Sequence, residues 1–365
     1  MAESQPNHLY GVGHIDGILW NTLLSHPKLS TMARKITVAA AQVGAVHKDS
    51  QRPETLSRLI SLLEQASQNG VEVLVYPETT FTTFFPRWKG LDDDREELDR
   101  WFEHGDITTN PNIAPLISRA KDLGIDIVIG YGEKTDDSHY YNTCSYIHAG
   151  KEISKYRKVH LPGNKEPYPD PEFIDQLEKR YFEPGDYGFK AFRVPDLAVT
   201  PEDGEAIAGM MICNDRRWAE SWRCLGLQGV ELVCLGYNTS TWAPGLFGHS
   251  KDADPEVIKA QSEFQHLLVM QAHSYTNATF SIAAARAGFD DGKFGLIGCS
   301  CIVHPEGHII AQSKTMDDEL VIATIDLDDA KIGKQKVFNF GLHRQPHQYS
   351  IITQQAGVTA PPRLN

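Results

Sequence analysis

Strand-length apolar runs alternate with segments of helical periodicity along most of the chain, and this alternation fixes the class of fold. ITVAAAQV at 36 to 43, VEVLVYPE at 71 to 78, AIAGMMIC at 206 to 213 and VELVCLGY at 230 to 237 are nearly continuous in apolar residues. Such runs belong in strands buried on both faces, as parallel sheets require. Between them, residues 54 to 68 place Leu56, Leu59, Ile60, Leu62, Leu63 and Ala66 on one side of a helix, with Asn69-Gly70 as its stop. Residues 113 to 123 predict a second helix capped by Gly124, and 125 to 132 a third strand. Residues 218 to 227 and 257 to 274 predict two more helices. Residues 141 to 156 instead read as a strand pair turning at Gly150-Lys151, so antiparallel strands join the parallel ones. Further strands are expected at 279 to 285, 297 to 303, 308 to 311 and 320 to 325. The whole predicts one α/β domain of layered sheets.

The segments outside this pattern are few. Residues 89 to 107 are acidic and expected to form a solvated helix or loop. Residues 162 to 188 hold five prolines and several aromatics, the composition of a long structured loop. Residues 1 to 35 read as an N-terminal extension lacking the basic start and apolar core of a signal peptide. No run approaches the ~20 apolar residues that span a bilayer, so no membrane partner is expected and the cytoplasm is the default compartment. Lys plus Arg total 35 against 48 for Asp plus Glu, a net charge of -13. That sign argues against wrapping nucleic acid. The six cysteines are too sparse for a disulfide scaffold and form no C-x-x-C pair, so most are expected to be buried small side chains.

Cys213 ends an apolar strand and is followed by Asn214, Asp215 and a predicted helix. That junction brings the thiol near backbone N–H groups and a positive helix end, with Arg216 and Arg217 beside it, an environment expected to favour the thiolate. Glu78 closes another apolar run, where a charge must reach solvent or find a buried partner. Ligands in open α/β sheets gather at such carboxyl ends. Lys158, in KYRKVHLPG, follows a strand and precedes a rigid turn, where an ammonium could face a developing oxyanion or simply sit at a sheet edge. A cysteine, a carboxylate and an ammonium together make an acyl-transfer set, although their sequence spacing alone does not bring them together.

YPET at 76 to 79, KYRKVHLPG at 155 to 163 and CNDRRWAESWR at 213 to 223 resemble the three catalytic blocks of the nitrilase (carbon-nitrogen hydrolase) superfamily. TTFFPRW at 82 to 88, LEKRYFEPGD at 177 to 186, GYNT at 236 to 239 and HRQPHQY at 343 to 349 resemble more narrowly its N-carbamoyl-D-amino-acid amidohydrolase branch. The resemblance implies a four-layer α-β-β-α sandwich, with the hydrolase domain at 36 to 333 and a C-terminal tail at 334 to 365 that contacts another subunit. It also implies a homodimer or homotetramer paired through helices.

By the same resemblance Glu78 is the general base, Lys158 the transition-state cation and Cys213 the nucleophile, while Glu178 positions substrate or water. Arg216 and Arg217 are expected to clamp a substrate carboxylate, as an arginine fork suits, unless one pairs with Asp215 or Glu220. Asn238 would add a polar contact to substrate, and His160 would lie near the carbamoyl end or hydrogen-bond only to the scaffold. Gln176 departs from the branch, which commonly carries a histidine there, and so removes a titratable group. Trp242 is expected to narrow the pocket or pack at its rim. The implied reaction converts N-carbamoyl-D-amino acids to D-amino acid, ammonia and carbon dioxide, with no metal or other cofactor required. β-Ureidopropionase-like hydrolysis and aliphatic or D-stereoselective amidase activity would use the same three groups.

Overall fold

Alternation within single strands shows how the layers are built. In the computed structural model, which describes residues 34–364, Ile36, Val38 and Ala40 of strand β1 (Lys35–Gln42) face one core while Ala39 and Ala41 face another. A two-residue side-chain period on a strand covered on both sides demands this division. The remaining strands of the first half are β2 (Val73–Val75), β3 (Glu103–His104), β4 (Asp126–Lys134), β5 (Tyr140–His148) and β6 (Lys151–Arg157). Those of the second half are β7 (Ala191–Arg193), β8 (Ile207–Ile212), β9 (Leu232–Tyr237), β10 (Phe280–Ala285), β11 (Ala287–Asp290), β12 (Phe294–Ile297), β13 (Cys301–Val303), β14 (Ile309–Gln312) and β15 (Glu319–Asp326).

One sheet has the order β15-β1-β2-β4-β5-β6, with β3 beside β4, and the other has the order β14-β13-β10-β9-β8-β7. The apolar runs picked out in the sequence are the parallel centre of each sheet: β1, β2 and β4 in one, β8, β9 and β10 in the other. The expected antiparallel pair is β5 with β6, joined at Gly150.

Helices α1 (Arg52–Gln68) and α2 (Ala114–Leu123) bury Leu59, Leu62, Leu63, Leu116 and Ile117 against the outer face of the first sheet. Gly124 ends α2 in the left-handed conformation, at φ 68°. Helices α3 (Ala219–Gly226) and α4 (Pro255–Asn277) contribute Trp222, Leu225 and Met270 to the second sheet's core. The inner faces of the two sheets share that core, so the layers run α-β-β-α, as the family resemblance implies. Helix α4 is longer than its periodicity indicates because Asp254 caps it and Pro255 starts it.

Residues 162–177 form no regular element, as expected of the proline-rich stretch, and a single helical turn, Glu178–Tyr181, follows them. The acidic segment contains the short helix Arg95–Asp99 and the two-residue strand β3. Past residue 333 the chain makes short turns that leave Leu342, Ile351 and Ile352 exposed, and α4 exposes Val257, Phe264 and Leu268. Among the described residues no helix is long and apolar enough to cross a membrane. Five cysteines are buried and Cys224 is exposed, all with free thiols. The N-terminal extension, apart from residues 34 and 35, lies outside the described residues.

Candidate active site

Four strands deliver polar side chains from their carboxyl ends: Glu78 past β2, Lys158 past β6, Cys213 past β8 and Asn238 past β9. Two glycines make room for the Glu78 segment. A Cβ on Gly236 would lie 2.6 Å from both Glu78 N and Pro77 C, and one on Gly130 would lie 2.6 Å from Pro77 O. Only glycine lets β9 and β4 approach that backbone so closely.

Glu78, Lys158 and Glu178 are buried together. Lys158 Nζ donates to Glu78 Oε1 at 2.7 Å and to Glu178 Oε2 at 2.5 Å. Asn142 Nδ2 donates to Glu78 Oε1 at 2.7 Å, while the backbone N–H and Nδ2 of Asn238 donate to Oε2 at 3.0 and 3.1 Å. Burial opposes ionisation of Glu78, but the Lys158 charge and these amide donors outweigh it and hold the carboxyl below its ordinary value. Glu178 is the reverse case. Burial, reinforced by the Glu78 charge, overcomes Lys158 and the Gln176 amide and raises it to about 7. Two buried carboxylates sharing one ammonium are thereby driven apart in acidity. Lys158 stays protonated: burial opposes its charge, but Cys213 and the two carboxylates more than offset that.

Cys213 occupies the first residue of a 3-10 turn (Cys213–Arg217), with φ at 48°, in the left-handed region that a residue bearing a Cβ seldom adopts. Its Sγ donates to Asn238 O at 3.3 Å, so the thiol and the Glu78 carboxylate meet at the backbone of one residue, Asn238. The thiol is not depressed as its position in the sequence suggests. Burial first, and then the Glu78 charge, push it up to about 11 against Lys158 and Arg216. The turn is too short to present a developed helix end, so it does not offset the loss of solvent.

The other expected site residues divide by what they touch. His160 is held through Nδ1 at 2.7 Å from Asp215 Oδ1, which also accepts its backbone N–H at 2.9 Å, and its ring stacks 4.8 Å from Trp218. Asp215 takes Tyr156 OH at 2.7 Å as well, so it is the anchor of His160 and not the counter-ion of Arg216. Arg216 is enclosed. Its Nε donates to His266 Nδ1 at 3.0 Å, Nη1 to Cys213 O at 2.7 Å and Nη2 to Thr239 Oγ1 at 2.8 Å, with Nη1 3.9 Å from the sulfur. Arg217 is half-buried and held at about 10 by burial and the like charge of Arg216. The side chain of Asn238 is turned onto Glu78. Gln176 donates to Glu178 Oε1 at 2.8 Å. Trp242 packs against the cluster of Ile174, Ala243, Leu246 and Phe294.

Sequence reasoning missed Asn142, Asp215, Thr239 and His266. Each acts through a partner remote in sequence, and only Asp215, two residues after the cysteine, and Thr239, the last residue of GYNT, stood inside recognisable blocks.

The carbon-nitrogen hydrolase profile matches residues 37–334. The chain belongs to the carbon-nitrogen hydrolase family. Among curated relatives, this hydrolase is 27% identical to N-carbamoylputrescine amidase of Oryza sativa subsp. japonica, over 87% of this chain and 94% of that one. It is 25% identical to the citrullinase of Francisella tularensis, over 88% and 99%. Among solved structures it superposes on a carbon-nitrogen hydrolase from Helicobacter pylori G27 with a TM-score of 0.68 at 21% identity, covering 88% of this chain and 99% of that one. An amidase mutant from Nesterenkonia sp. AN1, which carries the acetamide moiety of fluoroacetamide on its active-site cysteine, aligns with a TM-score of 0.62 at 16% identity, over 89% and 99%. The hydrolase is therefore an amidohydrolase of the nitrilase superfamily, acting on a C–N bond.

Proposed function

We propose that this hydrolase cleaves N-carbamoyl-D-amino acids to the D-amino acid, ammonia and carbon dioxide. The observation that carries the proposal is the meeting of the Cys213 thiol and the Glu78 carboxylate at Asn238, with Lys158 bound to that carboxylate. Glu78 accepts the thiol proton as Sγ forms a bond to the carbamoyl carbon. With the thiol near 11 in the free enzyme, that transfer accompanies attack and does not precede it. Lys158, kept cationic by its two carboxylates, stabilises the oxyanion. The first C–N bond then breaks as the departing nitrogen takes the proton from Glu78. Water that gives its proton to Glu78 cleaves the resulting S-carbamoyl bond, Glu78 returns that proton to the Cys213 thiolate, and the carbamic acid released breaks down to carbon dioxide and the second amine. Glu178, raised to about 7, positions Lys158 and the water.

The ureido reading draws support from relatives named for a carbamoylated amine. The D preference rests on the motif resemblance around TTFFPRW, LEKRYFEPGD, GYNT and HRQPHQY. A simple amidase is the second reading, favoured by Gln176, whose amide gives Glu178 a hydrogen bond with no titratable partner. Parallel assays of N-carbamoyl-D-amino acids, their L-enantiomers, N-carbamoyl-β-alanine and aliphatic amides decide between them. The D-carbamoyl series should show the highest kcat/KM; turnover restricted to simple amides would overturn the proposal.

A further inference from the structure

The two oxygens of the Glu78 carboxylate each take two donors, which fills the roughly four lone-pair sites such a group offers. The two oxygens are not equivalent. Oε1 accepts from Lys158 Nζ and from Asn142 Nδ2, both at 2.7 Å. Oε2 accepts from Asn238 alone, through its backbone N–H at 3.0 Å and its Nδ2 at 3.1 Å. To take a proton from Cys213 the carboxylate must release one of these four. Asn238 Nδ2 is the donor with other acceptors in reach, since it also meets Glu78 O at 3.1 Å and Thr79 Oγ1 at 3.4 Å. Oε2 also shares Asn238 with the thiol, whose Sγ lies 3.3 Å from the carbonyl of that residue.

Asn142 keeps Oε1 out of this exchange. It is fully buried within β5, and its backbone carbonyl accepts the N–H of Lys158 at 2.8 Å, so a single residue holds both the base and the cation. Stability does not account for an amide here. Its Oδ1 is buried with no donor among the described residues, a loss that an apolar side chain of similar shape would avoid. An ionised carboxylate fixes which way the amide points, because only the NH2 end can face it. The carbonyl end is the part left unmatched in return.

From this we infer that Asn142 is the positioning residue of the base: with Lys158 it pins Oε1, so that Oε2, at Asn238, takes the thiol proton. As the S–H bond of Cys213 breaks and the sulfur bonds the substrate's carbonyl carbon, the proton passes to Oε2. Asn238 Nδ2 turns to Glu78 O and Thr79 Oγ1, and Oε1 keeps its two donors. The same oxygen then gives the proton to the departing nitrogen. The inference rests on the reading of Glu78 as the base and adds which oxygen works and what holds the other. The charged or titratable groups that act with Glu78 are Lys158, Glu178, Cys213 and Arg87, and replacing Asn142 leaves each of them in place.

The test uses Asn142→Leu, close in shape and without an N–H, and follows kcat and KM from pH 4 to pH 9 on whichever N-carbamoyl or simple amide substrate is turned over. The acid limb of kcat/KM reports the base of the free enzyme, and Glu78 is held below its ordinary value in the parent. Loss of a hydrogen bond to its charged form should move that limb up by about one pH unit. At pH 8 kcat should fall about tenfold or more, as for a base no longer held in place, with KM changed less than about threefold. A fall in kcat with the limb unmoved would mark a merely structural role and overturn the inference, as would a parental profile. If Asn142→Leu does not fold, Asn142→Val gives the same two readouts. Failure of the D-carbamoyl assignment leaves the limb readable on simple amides. Parental turnover in Glu78→Gln would instead remove the base reading itself, and the inference with it.

Discussion

The Lys158 ammonium stands between two carboxylates, 2.7 Å from Glu78 Oε1 and 2.5 Å from Glu178 Oε2, with all three side chains removed from solvent. Lys158→Met would leave two buried anions facing each other without a counter-charge. Breaking such a pair costs about 3–5 kcal/mol. Urea denaturation at pH 8 should show a loss of that order, and the deficit should shrink towards pH 5 as a carboxylate takes up a proton. Turnover should be abolished at both values. A variant as stable as the parent at pH 8 would mean that the lysine neutralises neither acid.

Glu178 gives the fold a pH dependence of its own. Its carboxyl is raised from 4.5 to about 7 in the folded protein, so between those values the folded chain binds a proton that the unfolded chain has released. Its contribution to stability is present below 4.5 and is lost as pH rises through about 7. The stability difference between the parent and Glu178→Gln should therefore fall across that window, by up to about 1.4 kcal/mol per pH unit, and level off above it. Glu78, held low by Lys158 and its amide donors, works in the opposite sense, its contribution being lost as pH falls below 4.5. A rising difference between pH 5 and 7 would contradict the environment described for Glu178.

The Cys213 thiol, pushed up to about 11, should alkylate slowly at neutral pH in the free enzyme. Iodoacetamide labelling of Cys213, followed by peptide mass spectrometry, should accelerate about tenfold per pH unit from pH 7 to 9.5 without a plateau. The exposed Cys224 is replaced by Ser for this measurement so that surface labelling does not confuse the readout. A plateau below pH 8 would show a thiolate already formed before substrate binds, and the scheme of concerted proton transfer would have to be abandoned.

Much of this arrangement could be read before any coordinates. The central strands announced themselves as apolar runs because both faces of each sheet are covered, and Glu78 and Cys213 stood out as polar groups closing such runs. The partners did not. Asn142 lies mid-strand and looks like any polar residue of an edge pair, yet it supports Glu78 from 64 positions away. Arg216 reads as half of a surface fork, and only the packing of α4, which brings His266 against it, shows that the guanidinium is enclosed. The expected thiolate failed for a related reason: local sequence displays neighbouring charges but not the loss of solvent around them, and at Cys213 the loss of solvent is the larger effect.

Gly236 offers a way to move Glu78, the base of the proposed mechanism, without replacing Glu78, Lys158 or Cys213. Its missing Cβ leaves room for Tyr76, Pro77 and Glu78, whose backbone atoms lie 2.6 to 2.8 Å from where that carbon would be. None of these contacts is the end of a flexible side chain, so Gly236→Ala must shift either β9 or the segment that carries Glu78. Either shift separates the carboxylate from Asn238 N–H, which holds it beside the thiol. Displacements near 1 Å at a reacting group cost about a hundredfold in rate. Gly236→Ala should therefore lose about that much kcat with a smaller change in KM. Gly357→Ala, at a position with nothing within 4 Å, should keep the parent's rate. Parental turnover in Gly236→Ala would mean that the Glu78 segment tolerates displacement, and the tight geometry at Asn238 could then no longer be what brings base and nucleophile together.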